Sequence, residues 1–161
     1  MDRVADDILH HFIYPYKPYK VEVVGSVARG VEQPKDIDYL ITIPSMATNN
    51  LYATYLADMS MAEPYEITKV DKCGTYNCYF HVLNKQNNRT HLINLFLTDK
   101  KHYFFGKLAR LADKGHNIYY KKLARDKGLL LNNTGLYSLQ TDEPITQKFN
   151  SVDSIKNFLE L

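Results

Sequence analysis

Apolar and polar positions change rhythm more than once along this chain. Val4, Ile8, Leu9 and Phe12 recur at helical spacing ahead of Pro15 and Pro18, which predicts a short amphipathic helix over residues 2–12. Val21–Val24 is then a β-branched run closed by Gly25, and Asp36–Ile43 has the Ile, Tyr, Leu and Thr content of a second strand. Between them lies a Gly-flanked turn with room for one helical turn. Leu51, Tyr55, Leu56 and Met59 predict a helix over 47–59 that packs on the sheet so begun.

Strand patterns resume after Pro64. Tyr65–Val70, Tyr76–Leu83 and His91–Leu97 are β-rich, and the polar stretch Lys85–Arg89 reads as a hairpin loop. From Phe105 to Lys127 the composition turns to Leu, Ala, Lys and Arg, which predicts one or two helices interrupted at Gly115 and stopped at Gly128. Asn132, Asn133 and Gly135 signal a turn, and Ser151 caps a terminal helix with Ile155, Phe158 and Leu159 on its apolar side. The expected organisation is a strand-rich α/β first part followed by a mainly helical second part, without repeats or flexible linkers.

Composition narrows this little. With 161 residues, 45% apolar and 24% charged, the chain has the size and make-up of one globular core, or a core plus a small lobe. Its net charge of +2 names no partner. The distribution is more informative: Lys100, Lys101, Lys107, Arg110, Lys114, Lys121, Lys122, Arg125 and Lys127 face only Asp113 and Asp126, and a basic lobe of this kind suits a polyanion as well as a plain solvated helix face. Cys73 and Cys78, with Gly74 between them, match neither a zinc knuckle nor a C-x-x-C site and read as reduced interior or hairpin residues. No apolar stretch approaches the roughly 20 residues that span a membrane, and the N-terminus has no signal layout, so an intracellular protein is expected.

The chemistry concentrates in Val24-Gly25-Ser26-Val27-Ala28-Arg29-Gly30 and, after a short gap, Asp36-Ile37-Asp38-Tyr39-Leu40. Alternate strand residues point to one face, so Asp36 and Asp38 project together while Ile37 turns to the core. Two adjacent carboxylates repel unless a cation lies between them, and a hard divalent ion, Mg²⁺ above all with Mn²⁺ as a substitute, suits oxygen ligands. Two surface aspartates at a strand start are the plain alternative. The upstream residues add weight: Gly25 lets the backbone approach a phosphate, Ser26 offers a hydroxyl and an amide, and the Arg29 fork pairs with phosphate oxygens. Adjacent phosphate and metal sites are what phosphoryl or nucleotidyl transfer requires. His10 and His11 read as surface residues, and His81, His91, His102 and His116 fall in no metal-ligand spacing.

The Gly-Ser, Arg-Gly and Asp-x-Asp series resembles the nucleotidyltransferase signature, and its spacing resembles the family X DNA polymerases, the group containing DNA polymerase beta. Tyr103-Phe104-Phe105-Gly106 resembles that family's Tyr-Phe-Thr-Gly turn, and Lys127-Gly128 through Leu131-Asn132-Asn133-Thr134-Gly135-Leu136-Tyr137 resembles its thumb segment. The resemblance spans Val21 to the C-terminus and is closest to minimal viral members. It implies an α+β fold: a nucleotidyltransferase palm over residues 1–105, with a mixed, mostly antiparallel sheet and flanking helices, then a small helical thumb with a short β-hairpin over 106–161. By the same resemblance Asp36 and Asp38 bind both metals, Gly25, Ser26 and Arg29 bind the triphosphate, and Tyr103, Phe104 and Gly106 line the sugar. The basic residues Lys121, Lys122, Arg125 and Lys127 are the expected contacts to DNA phosphates.

One departure bears on chemistry. The family's third carboxylate lies in a Leu-Asp-Leu-Phe pattern, and this chain reads Leu92-Ile93-Asn94-Leu95-Phe96, so Asn94 takes the catalytic and metal-ligand place. An amide offers an oxygen but neither charge nor a base for the attacking hydroxyl's proton. Either an original Asp has been exchanged for Asn to trap a substrate complex, or the protein is slow, inactive or committed to another role; Asp99 is the nearest alternative ligand. Ala28 also replaces a second Arg common in the family. The expected function is a monomeric, gap-filling DNA-directed DNA polymerase that takes deoxynucleoside triphosphates and a primer-template. The alternatives are a small template-independent nucleotidyltransferase acting on RNA, protein or a small molecule, and a catalytically weak nucleotide- or DNA-binding relative.

Overall fold

The computed structural model describes residues 20–31, 36–43, 63–74 and 76–161. The helices expected over 2–12 and 47–59 lie outside the described residues. The chain divides into two compact units, one up to Lys100 and one from Lys101 to Leu161.

In the first unit β1 (Lys20–Val24) leads through the single helical turn α1 (Gly25–Ala28) to β2 (Asp36–Ile43). Three longer strands follow: β3 (Tyr65–Cys73), β4 (Asn77–Asn84) and β5 (Arg89–Asp99). They form one mixed five-stranded sheet in the order β1-β2-β5-β4-β3. Only the β2–β5 pair is parallel; β1–β2, β3–β4 and β4–β5 are antiparallel, so the expectation of a mixed, mostly antiparallel sheet holds.

The composition of β2 and of the middle strand β5 suits their interior places in the sheet. From Ile37 to Ile43 every residue of β2 except Asp38 is buried, and from Leu95 to Asp99 so is every residue of β5, the pattern of strands covered on both faces. By contrast β4 alternates half-buried and buried positions, and the edge strand β3 is exposed from Thr68 onward. Lys69 and Lys72 on that edge, with register shifts between Ile67 and Lys69 and between Val70 and Lys72, discourage pairing with another chain.

One face of the sheet carries the core. Ile37, Tyr39, Ile41 and Ile43 of β2 meet Phe80 and Val82 of β4 and Ile93, Leu95 and Leu97 of β5. Since side chains alternate, Asp36, Asp38 and Asn94 belong to the opposite face. Cys73 and Cys78 are register partners where β3 meets β4; both are free thiols, Cys73 exposed and Cys78 buried in the core. The interior or hairpin role expected for them is what the fold shows. Burial, and then the neighbouring Cys73, push the Cys78 thiol well above its ordinary range.

The second unit contains α2 (Tyr103–Leu111), α3 (Lys114–Asp126), the hairpin β6 (Leu129–Asn132) with β7 (Gly135–Ser138), and α4 (Val152–Glu160). The described residues thus hold four helices in an α+β arrangement. Leu108, Tyr120, Ala124, Leu131, Leu136, Ile155 and Leu159 form this unit's own core. The helix α2 runs through the 105/106 boundary at which the sequence places a change of domain. Two helices form as expected, but Gly115 does not separate them. The break falls at Ala112 and Asp113, because Asp113 starts the next helix: its carboxylate accepts the His116 N–H at 2.8 Å and caps the N-terminus of α3, leaving Gly115 inside the first turn.

Gly128 stops α3 as predicted, at φ +74° with its N–H bonded to the Arg125 carbonyl. In the β6–β7 turn Asn132 Oδ1 accepts from the Thr134 and Gly135 N–H groups and from the Thr134 hydroxyl. Ser151 and Ser154 form a reciprocal capping box at the start of α4. No helix among the described residues is long and apolar enough to cross a membrane.

Candidate functional site

The parallel register of β2 and β5 sets Asp36 opposite Leu92 and Asp38 opposite Asn94. On the face away from the core this brings three polar side chains together. The Asn94 side-chain nitrogen donates to Asp36 Oδ2 at 2.8 Å and to Asp38 Oδ1 at 2.8 Å. A single amide therefore bridges both carboxylates.

The magnitudes explain why such a bridge forms. Two carboxylates about 4 Å apart repel by about 4 kcal/mol at the effective dielectric of a protein surface. A hydrogen bond to a charged group returns about 1.5–3 kcal/mol, so two of them offset a repulsion of that size. All three residues are half-buried, where screening by water is incomplete.

On the other side of β2, the antiparallel register sets Val24 opposite Asp38, and the chain turns at once into α1. Gly25 is buried at φ +68°, a left-handed conformation that glycine adopts without steric cost. A Cβ there would overlap Asp38 Oδ2 and stand 2.9 Å from its Cγ. Glycine is thus required twice, by backbone angle and by the approach of the Asp38 carboxylate. Ser26 Oγ is buried without a hydrogen-bond partner among the described residues, and such a hydroxyl carries a cost that a ligand oxygen would relieve. The turn is closed by Arg29 N–H to the Gly25 carbonyl at 3.1 Å, Gly30 N–H to Val27 at 3.1 Å and Val31 N–H to Ser26 at 3.0 Å. Arg29 is exposed at the end of this turn.

Asp99, the alternative ligand, lies elsewhere. It pairs with Ile43 at the far end of β5, and five positions from Asn94 puts it on the opposite face of the strand. Asn94, and not Asp99, is therefore the residue that joins Asp36 and Asp38. Among the described residues no three His, Cys, Asp or Glu gather into a metal-binding group, so this cluster consists of two carboxylates and one amide. The donor set still fits a hard divalent ion: Asp36 and Asp38 supply charged oxygens and Asn94 an amide oxygen once turned, while Ser26 follows Gly25 in the turn that abuts Asp38.

The remaining expected site residues lie in the second unit. Tyr103, Phe104 and Gly106 occupy the first turn of α2; the two rings meet edge to face at 5.2 Å, and Lys107 Nζ stands 5.7 Å from the Tyr103 centroid. Lys121, Lys122 and Arg125 are exposed along α3 and Lys127 caps its end. Two clefts in this unit involve residues to which the sequence pattern gave no site role. Lys101, Phe105, Tyr137, Lys148 and Phe149 join Phe104 around one of about 380 Å³. Arg110, Asn117, Asn132 and Asn133 join Lys121 around another. Lysine next to an aromatic in Gln147-Lys148-Phe149 was the available signal for the first. Nothing in spacing announces the second, because the hairpin assembles it. Elsewhere the histidines make local contacts: His81 Nε2 meets Asp71 at 2.7 Å, and His116 Nδ1 meets Asp113 at 2.9 Å.

Compared with family models and with curated proteins, the sequence matches none.

Proposed function

We propose that this protein is a metal-dependent nucleotidyltransferase that binds a nucleoside triphosphate at the Gly25–Ser26 turn. The observation that carries the reading is the convergence of Asp36, Asp38 and Asn94, with Asp38 against Gly25 and, in the same turn, a Ser26 hydroxyl that has no hydrogen-bond partner among the described residues. In this reading Asp36 and Asp38 hold Mg²⁺, or Mn²⁺ in its place. A bound divalent ion supplies charge neutralisation for the triphosphate and for the charge that builds up during transfer.

The protein's own contribution is placement. Gly25 admits the carboxylate of Asp38 to the backbone turn, Ser26 donates to a phosphate oxygen, and Arg29 stands at the end of the same turn. Asn94 does not accept the proton of an attacking hydroxyl, so transfer at this site lacks its own base there. The acceptor we assign is a primer end on gapped DNA, in the manner of the family X polymerases, with the sheet unit as palm and the second unit as thumb. Exposed Lys121, Lys122, Arg125 and Lys127 support a nucleic-acid acceptor, because a cationic helix face favours phosphates.

A second reading, a weak or template-independent relative that binds nucleotide with little turnover, is favoured by the amide at position 94. Binding of a triphosphate that cannot be cleaved between its α and β phosphorus, measured with and without Mn²⁺, tests the common premise of both. Asp38→Ala abolishes the Mn²⁺-dependent part; unchanged binding in that variant refutes the site.

A further inference from the structure

We propose that Asn94 is a latch that closes the Asp36–Asp38 pair to free divalent ions, so that an ion enters only together with the triphosphate. The inference rests on reading the aspartate pair as a metal site. It starts from which atom of Asn94 faces the carboxylates: the nitrogen, at 2.8 Å from an oxygen of each. The amide group has two hydrogens to donate, and both are used here.

An amide nitrogen has no lone pair to offer a cation, and a hard ion takes oxygen ligands. For Asn94 to ligate, its amide has to turn over and surrender both charge-assisted bonds; for it to stay out of the way, it has to leave the same two bonds. Either way an entering ion displaces a donor that already relieves the repulsion between Asp36 and Asp38. A bare carboxylate pair gains the full relief from a cation, and the latched pair gains only the difference. An Asp at position 94 would act oppositely, adding a negative charge and no donor.

The triphosphate restores the balance. Its oxygens add ligands and negative charge to the ion, and the Ser26 hydroxyl, without a hydrogen-bond partner among the described residues, gains one when a phosphate arrives. Ion and triphosphate are thereby coupled: each makes up what the other loses by opening the latch.

The test measures Mn²⁺ binding by its paramagnetic signal for the wild type, Asn94→Ala and Asn94→Asp, alone and with a non-cleavable triphosphate. Circular dichroism checks that each variant is folded. The latch predicts that free Mn²⁺ binds Asn94→Ala about tenfold more tightly than the wild type, the equivalent of losing one net charged hydrogen bond. It also predicts still tighter binding by Asn94→Asp. With the triphosphate present, the wild type and Asn94→Ala differ far less. If Asn94→Ala binds free Mn²⁺ as weakly as the wild type or more weakly, Asn94 is an ordinary oxygen ligand and the latch is wrong. The wild type gives a second readout: the Asn94 side-chain ¹⁵N–H₂ resonances shift on adding Mg²⁺ with triphosphate and stay in place with Mg²⁺ alone. Equal shifts in both titrations overturn the proposal. Absence of Mn²⁺ binding in all three forms, with and without triphosphate, removes the metal site itself and the latch with it.

Discussion

Asp38 and Asn94 face each other across the parallel strands β2 and β5, joined by a 2.8 Å hydrogen bond from the amide nitrogen to Oδ1. Asp36 is tied to the same nitrogen. The shape of the site depends on the sheet register and on the glycine turn that abuts Asp38.

That turn gives a paired prediction. Gly25→Ala places a methyl group against the Asp38 carboxylate at a positive φ, and Gly30→Ala meets only the second of these problems, at φ +77° with nothing within 4 Å. Both variants lose about 1 kcal/mol or more of stability from the backbone conformation. Only Gly25→Ala also loses metal-dependent triphosphate binding, by about tenfold or more if the carboxylate shift costs over 1.4 kcal/mol. Chemical denaturation and nucleotide titration of the two proteins separate the effects.

Asn132 is a local keystone of the second unit. Its Oδ1 accepts three hydrogen bonds within the β6–β7 turn, and Thr134 Oγ1 lies 2.8 Å from the Tyr137 hydroxyl. Asn132→Ala leaves the Thr134 and Gly135 N–H groups without that acceptor and costs about 1–3 kcal/mol. Urea unfolding followed by Tyr fluorescence reads the loss, and a change below a few tenths of a kcal/mol contradicts the role assigned to the turn.

The two thiols differ in reactivity for a physical reason. Cys73 is exposed, whereas Cys78 is buried and its thiol is held protonated by that burial. At mildly alkaline pH a thiol reagent modifies Cys73 first, and Cys78 reacts on unfolding, because the thiolate is the reactive form. Mass spectrometry of the native and denatured protein counts the adducts.

For the basic helix, Lys121→Glu, Lys122→Glu and Arg125→Glu each weaken binding to duplex or gapped DNA without regard to sequence. Each also lowers the slope of log affinity against log salt by about 1 if its residue contacts a phosphate. Fluorescence anisotropy at several salt concentrations is the measurement. Unchanged slopes in all three variants would leave α3 as a solvated face.

Much of the fold was legible because strand and helix periods announce themselves. Asp36–Ile43 has the same bounds in sequence and structure, and Ser151 caps α4 as its sequence suggests. The register that sets Asp38 against Asn94 was not legible in the same way; only the family resemblance, which gives Asn94 the third ligand place, grouped it with the two aspartates. Pairing residues so distant in sequence depends on which strands become neighbours, and that is decided by burial over the whole sheet. The grouping of Gly25, Ser26, Asp36 and Asp38 could be anticipated, since they fall on either side of one short connection. What the sequence could not supply was the direction of the Asn94 amide, which follows from the repulsion between the two carboxylates it faces. The helix break at Asp113 rather than Gly115 was missed because the Asp113 carboxylate caps the N-terminus of α3, so the new helix starts there and takes Gly115 into its first turn.

The central claim is tested most directly by template-directed primer extension on a gapped DNA with Mg²⁺ or Mn²⁺ and all four deoxynucleotides, comparing the wild type with Asn94→Asp. The account predicts slow or no extension by the wild type and an increase of about 10²-fold or more in the variant, the scale of a restored general base. Addition that ignores the template would reassign the acceptor, and no addition by either protein would contradict the account.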